Sequence, residues 1–188
     1  AAALLTAAGC AGAGDDEMTI DERLEQYTSF RLEADFDGLT EGQRRMLPLL
    51  IEAAGIMDDI FWEQAYGSPD SLLNDLQDER YRRFAEINYG PWDRLNGDEP
   101  FVEGAGLKPA GAAFYPPDLT KEAFEAAAEA DEALASPYTV VRRDETGALV
   151  GIPYHEQWPA WTERAATLLE EAAGYAESSD FARYLRLR

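Results

Sequence analysis

The chain has 188 residues, 46% of them hydrophobic, which is enough to fill the core of one domain or of a substantial piece of a larger one. Its 16 basic and 37 acidic residues give a net charge of −21, which argues against binding to DNA, RNA or an anionic lipid surface. With one histidine, His155, and one cysteine, Cys10, the chain has no internal disulfide, no recognisable catalytic triad and no recognisable zinc site.

Residues 1–10 form a short run of small apolar residues that ends in Gly9 and Cys10. This run is too short to span a membrane and resembles the end of a secretory signal with its cleavage site. Its ending is similar to a bacterial lipobox, although leucine is more usual where Ala7 stands. We predict that residues 1–18 are a lipoprotein-type signal remnant and linker, that Cys10 carries the lipid, and that the protein is exported and anchored to the bacterial cell envelope. The alternative is an alanine-rich tail with an incidental cysteine.

Two capping boxes mark the first predicted helices. The box at residues 19–22 predicts a helix that ends near Gly38, with an apolar face formed by Ile20, Leu24, Tyr27, Phe30 and Ala34. The box at residues 40–43 predicts a longer helix that ends near Gly67, with Pro48 in or near its first turns. Its predicted apolar face consists of Leu47, Leu50, Ala54, Met57, Phe61 and Ala65. Shorter helices are predicted after Ser68 and over residues 78–87.

Residues 90–117 hold five of the ten prolines and five of the fifteen glycines, together with the aromatic residues Trp92, Phe101, Phe114 and Tyr115. We predict a long ordered loop here, and loops of this kind are often functional. The pattern then predicts a helix from Thr120 to Ala135, a β-hairpin over residues 138–153, and helices that carry Trp158 and begin near Asp180. The predicted fold class is mainly α: a helical lobe with one β-hairpin and a long Gly/Pro-rich ordered loop.

The pair His155-Glu156 suggests the zinc motif His-Glu-x-x-His, which places a second imidazole four residues after the first. Pro159 stands at that position, so the second ligand is absent. We therefore expect His155 to lie at the start of a helix rather than to act in catalysis or metal binding.

Three further patterns have structural explanations that we prefer. The glycines of residues 104–109 lack the spacing of a phosphate-binding loop, so we expect a structural loop. The three tryptophans at positions 62, 158 and 161 are expected in the core. The carboxylates Glu52, Asp59 and Glu63 share one helix face; a hard cation could bind there, but we expect solvation or ion pairing with the basic run Arg80, Arg82 and Arg83.

Several blocks of the sequence, in the same order, resemble dipeptidyl-peptidase-III-like proteins, both short bacterial members and a module fused to a plant Nudix protein. The longest block is residues 108–122. The others are residues 57–62 with Gln64, 87–95, 151–154 and 164–169. The resemblance covers roughly residues 40–188, and the set of blocks is more specific than any single motif.

The resemblance implies a two-lobed zinc peptidase whose metal is held by a His-Glu-x-x-Gly-His helix and a later acidic motif. Neither motif occurs in this sequence, so no catalytic residue and no zinc ligand can be assigned to it. The sequence lacks an initiator methionine and stops within an amphipathic pattern, so we expect an N-terminal fragment that is inactive alone. Its partner would be the missing C-terminal part, which would supply the zinc site and help to bind a peptide substrate.

In that interpretation, residues 19–188 are the N-terminal helical part of a zinc-dependent hydrolase, and the Gly/Pro/aromatic segment forms one wall of its cleft. The alternative is a stand-alone acidic helical module that binds a protein or peptide. A fragment of this kind is also expected to expose an apolar surface where the missing part docks.

Overall fold

The computed structural model describes residues 17–188, and the predicted lipid attachment residue Cys10 lies outside them. The helices of this part are α1 (Ile20–Glu25), α2 (Glu41–Ala65), α3 (Pro69–Leu73), α4 (Glu79–Asn88), α5 (Lys121–Ala128), α6 (Tyr154–Gln157), α7 (Pro159–Gly174) and α8 (Ser179–Arg186). Two antiparallel strand pairs accompany them: β1 (Trp92–Asp93) with β2 (Glu99–Pro100), and β3 (Thr139–Arg143) with β4 (Leu149–Pro153). The mainly-α fold class is confirmed.

Helix α2 is the element around which the described residues pack. Its start is fixed by the predicted capping box, in which the Thr40 hydroxyl accepts a hydrogen bond from the Gln43 backbone N–H at 3.2 Å. Pro48 lies inside the helix, where it cannot donate the usual hydrogen bond one turn back. The helix contributes to all three apolar clusters of the fold through Met46, Ala53, Ile56, Ile60 and Trp62.

The buried face of α2 differs from the predicted one. Ala53, Ile56 and Ile60 are buried, whereas Met57 and Phe61 of the predicted face are exposed. Both faces of this helix are apolar, so a period of 3.6 residues is compatible with either face. The choice depends on distant elements, because the buried face packs against Val140 of β3 and against Trp158, Ala165 and Leu168 at and within α7.

The first helix is much shorter than predicted, because α1 ends at Glu25. Gln26 is followed by Tyr27, Thr28, Ser29 and Phe30, residue types that are all weaker helix formers than alanine or leucine. Tyr27 still packs edge-on against Phe84, with the ring centroids 5.8 Å apart. Beyond it, residues 28–38 are exposed and belong to no helix or strand.

The second half of the chain follows its predicted order with two differences. The hairpin of β3 and β4 is confirmed, with Val140 opposite Ile152 and Val141 opposite Gly151. The helix predicted through Ala135 ends at Ala128, and a short 3-10 turn follows at Glu132–Ala135. The two-residue strands β1 and β2 were not predicted, because a ladder of that length has no readable alternation.

A buried ion pair joins α1 to the segment after α4. The Arg23 guanidinium donates to the Asp93 carboxylate at 2.6 Å, and the two side chains are 2% and 0% exposed. Asp93 also accepts hydrogen bonds from the Asn96 side chain at 2.6 Å and from the Leu95 backbone N–H at 3.1 Å. Glu99, on β2, is a second and more exposed partner of Arg23 at 3.2 Å. The charges are therefore paired and hydrogen-bonded, as burial requires.

We predict that Arg23→Met will lower the free energy of unfolding by about 3–5 kcal/mol, because it leaves the Asp93 charge buried without its cation. The measurement is urea denaturation followed by circular dichroism. Arg80→Met is the control, since Arg80 pairs with Asp21 and Asp78 at the exposed surface and its removal should change stability little. Equal losses in the two variants would contradict the central role of the buried pair.

Two glycines of α2 give a second, matched prediction about its packing. A Cβ atom at Gly42 would lie 2.8 Å from the Tyr175 carbonyl oxygen, whereas a Cβ atom at Gly55 would meet nothing within 4 Å. Gly42→Ala should therefore lower the free energy of unfolding by about 1–3 kcal/mol through overpacking. Gly55→Ala should raise it by about 0.5–1 kcal/mol, because glycine is a poor helix former. Thermal and urea unfolding of both variants test this, and a stabilised Gly42→Ala would show that the end of α7 does not pack there.

Candidate functional site

The loop at residues 107–117 is the part of the Gly/Pro/aromatic segment that has the most distinctive surroundings. It lies between the end of α2 and the edge of β3, and backbone hydrogen bonds tie it to both. The Ala113 N–H donates to the Gln64 carbonyl at 2.9 Å, and the Phe114 carbonyl accepts from the Val141 N–H at 3.1 Å. The Arg142 guanidinium donates to the same Phe114 carbonyl at 3.0 Å. The predicted ordered loop therefore packs against the fold.

Two open cavities flank this loop. One has a volume of about 640 Å³ and extends from Gly97 and Asp98 to the loop. The other has a volume of about 270 Å³ and extends from the loop to Phe124 of α5. Residues 109–112 and Tyr115 line both cavities, so the loop is a ridge between two depressions.

The backbone of the ridge has a shape that few residues tolerate. Ala112 has a φ of 46°, in the left-handed region that residues other than glycine rarely adopt. A Cβ atom at Gly111 would lie 2.6 Å from the Tyr115 ring, so the absence of a side chain lets the ring lie across the backbone. The same ring packs edge-on against Phe124, with centroids 5.2 Å apart. Strained, well-supported backbone of this kind clusters at functional sites.

Polar groups behind the ridge are shared between α2, β3 and α6. Burial lowers the pKa of the Arg142 guanidinium, and the Glu63 carboxylate opposes that change. Burial also raises the pKa of the Tyr154 phenol, with a hydrogen bond from Gln64 opposing it and Tyr115 adding to it. Arginine remains charged after such a change, and tyrosine remains protonated near neutral pH. These groups can donate hydrogen bonds to carbonyls or carboxylates, but none is suited to exchange protons at neutral pH.

The structure separates the residues that the sequence singled out. His155 is exposed on α6, with its Nε2 atom 3.8 Å from Glu156. Within residues 17–188, no group of three or more His, Cys, Asp or Glu side chains is placed to hold a metal ion. In the same range, no helix is both long and apolar enough to cross a membrane.

The predicted partners of the acidic α2 face were wrong. The Glu52 carboxylate accepts a hydrogen bond from Nε of Arg164, on α7, at 3.0 Å. The negative charge of Glu63 favours the charged form of Arg142. The basic run on α4 has other partners: Arg80 contacts Asp78 and Asp21, Arg82 donates to the Leu73 and Leu76 carbonyls, and Arg83 contacts Ser29. Helical spacing identified the acidic face correctly, but the identity of its cationic partner depends on the packing of α7 and β3.

The remaining predictions concern the glycines and the tryptophans. Trp62 and Trp158 are buried, and Trp161 packs against the cluster formed by α2, β3 and α7, so the predicted core role is confirmed. Gly104 and Gly106 both have positive φ values, of 82° and 67°, in the turns that precede the ridge. The Gly106 carbonyl accepts a hydrogen bond from the Trp92 indole at 3.0 Å, which gives this stretch a structural role.

Sequence reasoning did not single out Gln64, Arg142 or Tyr154 as site residues. Arg142 sits in a strand where it looks like an ordinary outward-facing residue. Gln64 and Tyr154 belong to two of the blocks that carry the family resemblance, and that membership is the sequence feature that could have identified them as site residues. Their position beside one loop could not be read from the sequence, because they lie on three different elements.

Comparisons with known proteins agree with the resemblance. No protein-family model matches the chain. Among curated proteins, Nudix hydrolase 3 of Arabidopsis thaliana is 27% identical, in an alignment that covers 89% of this chain and 30% of that protein.

Two solved structures are similar in both sequence and fold. Dipeptidyl peptidase III of Caldithrix abyssi is 36% identical, with a TM-score of 0.82, over 89% of this chain and 34% of that one. Dipeptidyl peptidase III of Corallococcus sp. strain EGB is 29% identical, with a TM-score of 0.81, over 90% of this chain and 34% of that one. The chain thus spans about a third of the length of the proteins it matches. The resemblance to the dipeptidyl-peptidase-III-like family is therefore confirmed, and the described residues have the fold of about a third of such a protein.

Proposed function

We propose that this chain is the N-terminal helical part of a dipeptidyl-peptidase-III-like zinc hydrolase that removes dipeptides from peptides. The observation that carries the proposal is the match to the Caldithrix abyssi enzyme, which extends over 89% of this chain but only 34% of that one at 36% identity. In this proposal, another part of the polypeptide holds the zinc. In such enzymes zinc polarises the scissile carbonyl and lowers the pKa of bound water.

In this proposal, residues 19–188 bind and position the peptide rather than cleave it. The ridge at residues 107–117 forms one wall of the cleft, and the Tyr115 ring presents an apolar surface to a substrate side chain. The Arg142 and Tyr154 donors behind the ridge suit a carbonyl or carboxylate of the peptide. Because neither donor is suited to proton transfer near neutral pH, this wall contributes affinity and orientation.

The exposed apolar face of α2 supports the proposal that the chain is part of a larger protein. Met57 and Phe61, one turn apart, lie on this side of the helix and are exposed. Phe61 is only partly shielded, by an edge-on contact with Tyr89 at 4.7 Å. Contiguous exposed apolar side chains mark surfaces that another element covers. We place the docking surface for the rest of the polypeptide here.

The N-terminal residues complete the proposal. Cys10 is the residue that would carry the lipid, and residues 1–18 would be the signal remnant and linker that tether an exported protein to the bacterial envelope. One acyl chain binds a membrane weakly, so stable tethering requires the several chains of a bacterial lipoprotein. Mass spectrometry of the protein from its native membrane, compared with a Cys10→Ser variant, tests the attachment.

The central test uses the longest polypeptide that the gene encodes. We expect it to bind stoichiometric zinc and to release dipeptides from a chromogenic dipeptidyl substrate, with activity lost on chelation and restored by zinc. The 188-residue chain alone should do neither. Zinc binding and cleavage by the 188-residue chain would overturn its assignment as a part. A long polypeptide that lacks both properties would favour a helical module that binds a protein or peptide.

The cleft-wall role predicts an effect on substrate binding. In the longest polypeptide, Tyr115→Ala should raise KM roughly tenfold, the equivalent of about 1.4 kcal/mol of lost contact, with kcat little changed. Tyr138→Ala is the control, because that ring is exposed just before β3 and lines neither of the two cavities beside the ridge. Thermal unfolding of both variants separates a binding effect from loss of the fold. An unchanged KM for a folded Tyr115→Ala variant would contradict the assignment of the wall.

A further inference from the structure

Residues 28–37 form a connection between α1 and α2 with unusual exposure. Every residue in it is exposed, and Phe30, Leu32 and Phe36 keep 83%, 87% and 53% of their surface accessible. The backbone groups of residues 28–35 make no hydrogen bond to any other described backbone group. Three large apolar side chains exposed to water are unfavourable, and the neighbouring backbone groups, which have no backbone partner in the described residues, are free to pair with another chain.

The two ends of this connection are held in place. At the start, the Arg83 guanidinium donates to the Ser29 hydroxyl at 3.3 Å. At the end, the Arg44 guanidinium donates to the Phe36 carbonyl at 2.6 Å and to the Asp37 carbonyl at 3.2 Å. The segment is thus held at the surface between two fixed points, which lowers the entropic cost of ordering it when a partner binds.

The sequence of the segment has the pattern of a β-strand with one apolar face. Phe30, Leu32, Ala34 and Phe36 alternate with Arg31, Glu33, Asp35 and Asp37. A period of two places the apolar set on one side of an extended chain and the charged set on the other. Phe30 and Ala34, together with Tyr27, also fit a helical period of three or four residues, which is why the sequence alone suggested that α1 continues.

We propose that residues 29–37 form a β-strand that pairs with the edge of a β-sheet in the part of the polypeptide that the chain does not span. This inference rests on the proposed function, under which about two thirds of the homologous length lies elsewhere. Strand addition satisfies the free backbone groups and covers Phe30, Leu32 and Phe36 in one step.

Charge decides between this occupant and a second copy of the chain. The polar side of the segment carries one positive and three negative charges, and the whole chain carries a net charge of −21. Two copies would bring like charges together, which disfavours association. A sheet edge with lysine or arginine opposite Glu33 and Asp35 is the complementary partner.

Hydrogen exchange measured by mass spectrometry tests the proposal on two samples, the 188-residue chain and the longest polypeptide that the gene encodes. The amides of residues 30–36 should exchange rapidly in the 188-residue chain and be protected about 100-fold or more in the long polypeptide. Leu32→Ser should remove most of that protection. Leu95→Ser is the control: Leu95 is also an exposed leucine but lies in the 90–117 segment, so its substitution should leave the protection of residues 30–36 unchanged.

The outcomes separate this inference from the proposed function. Rapid exchange at residues 30–36 in a long polypeptide that binds zinc and cleaves dipeptides would overturn the strand and leave the function standing. Protection that Leu32→Ser removes would support the strand even if zinc and cleavage were absent. A reading frame that ends at Arg188, or protection of the 188-residue chain that rises with its concentration, would overturn the choice of occupant, the latter in favour of a second copy.

Discussion

The carboxylate of Asp93 has no access to water, and the Arg23 guanidinium 2.6 Å away is the cation that makes its burial tolerable. Because Arg23 belongs to α1 and Asp93 lies near the start of the Gly/Pro/aromatic segment, this one contact joins the start of the described fold to the loop region. Asn88 extends the polar network: its side chain donates to the Phe84 carbonyl and accepts from the Arg94 N–H. Phe84 of α4 packs edge-on against Tyr27 and Phe101, in the apolar cluster that Ile20 of α1 also joins, so α1 is held both by this cluster and by the buried ion pair.

Helix α2 connects this region to the other elements of the described fold. Its end contacts the aromatic cluster through Trp62, its middle packs on β3 and α7, and its first turns pack on α8 through Met46. The Gln64 carbonyl then holds the ridge through Ala113. A loop rich in glycine and proline would otherwise sample many conformations, so its shape follows from the helix and strand that carry it.

The sequence predicted correctly those features that depend only on interactions between residues close together in the chain. The capping boxes at Thr19 and Thr40 located both helix starts, because a hydroxyl and a backbone N–H three residues later form the interaction by themselves. Periodicity could not choose between the two apolar faces of α2, nor show that Arg23 is buried beside Ile20 and Leu24. Those outcomes depend on partners far along the chain. The site was predictable to the same extent: its loop was visible in composition, whereas Arg142 and Tyr154 reach it only through tertiary packing.

The two faces of α2 connect the exposed surface to the ridge. Phe61 is exposed one turn before the end of the helix, whereas Gln64, three residues later, hydrogen-bonds Ala113 of the ridge. A polypeptide that packs on Met57 and Phe61 therefore contacts the last two or three turns of α2, next to the turn that positions the loop. Helices bend little over a single turn, so a shift at Phe61 is carried to the Gln64 carbonyl and from there to the backbone beside Tyr115. Docking of a larger protein on α2 therefore also affects the shape of this wall, because both depend on the last turns of the same helix.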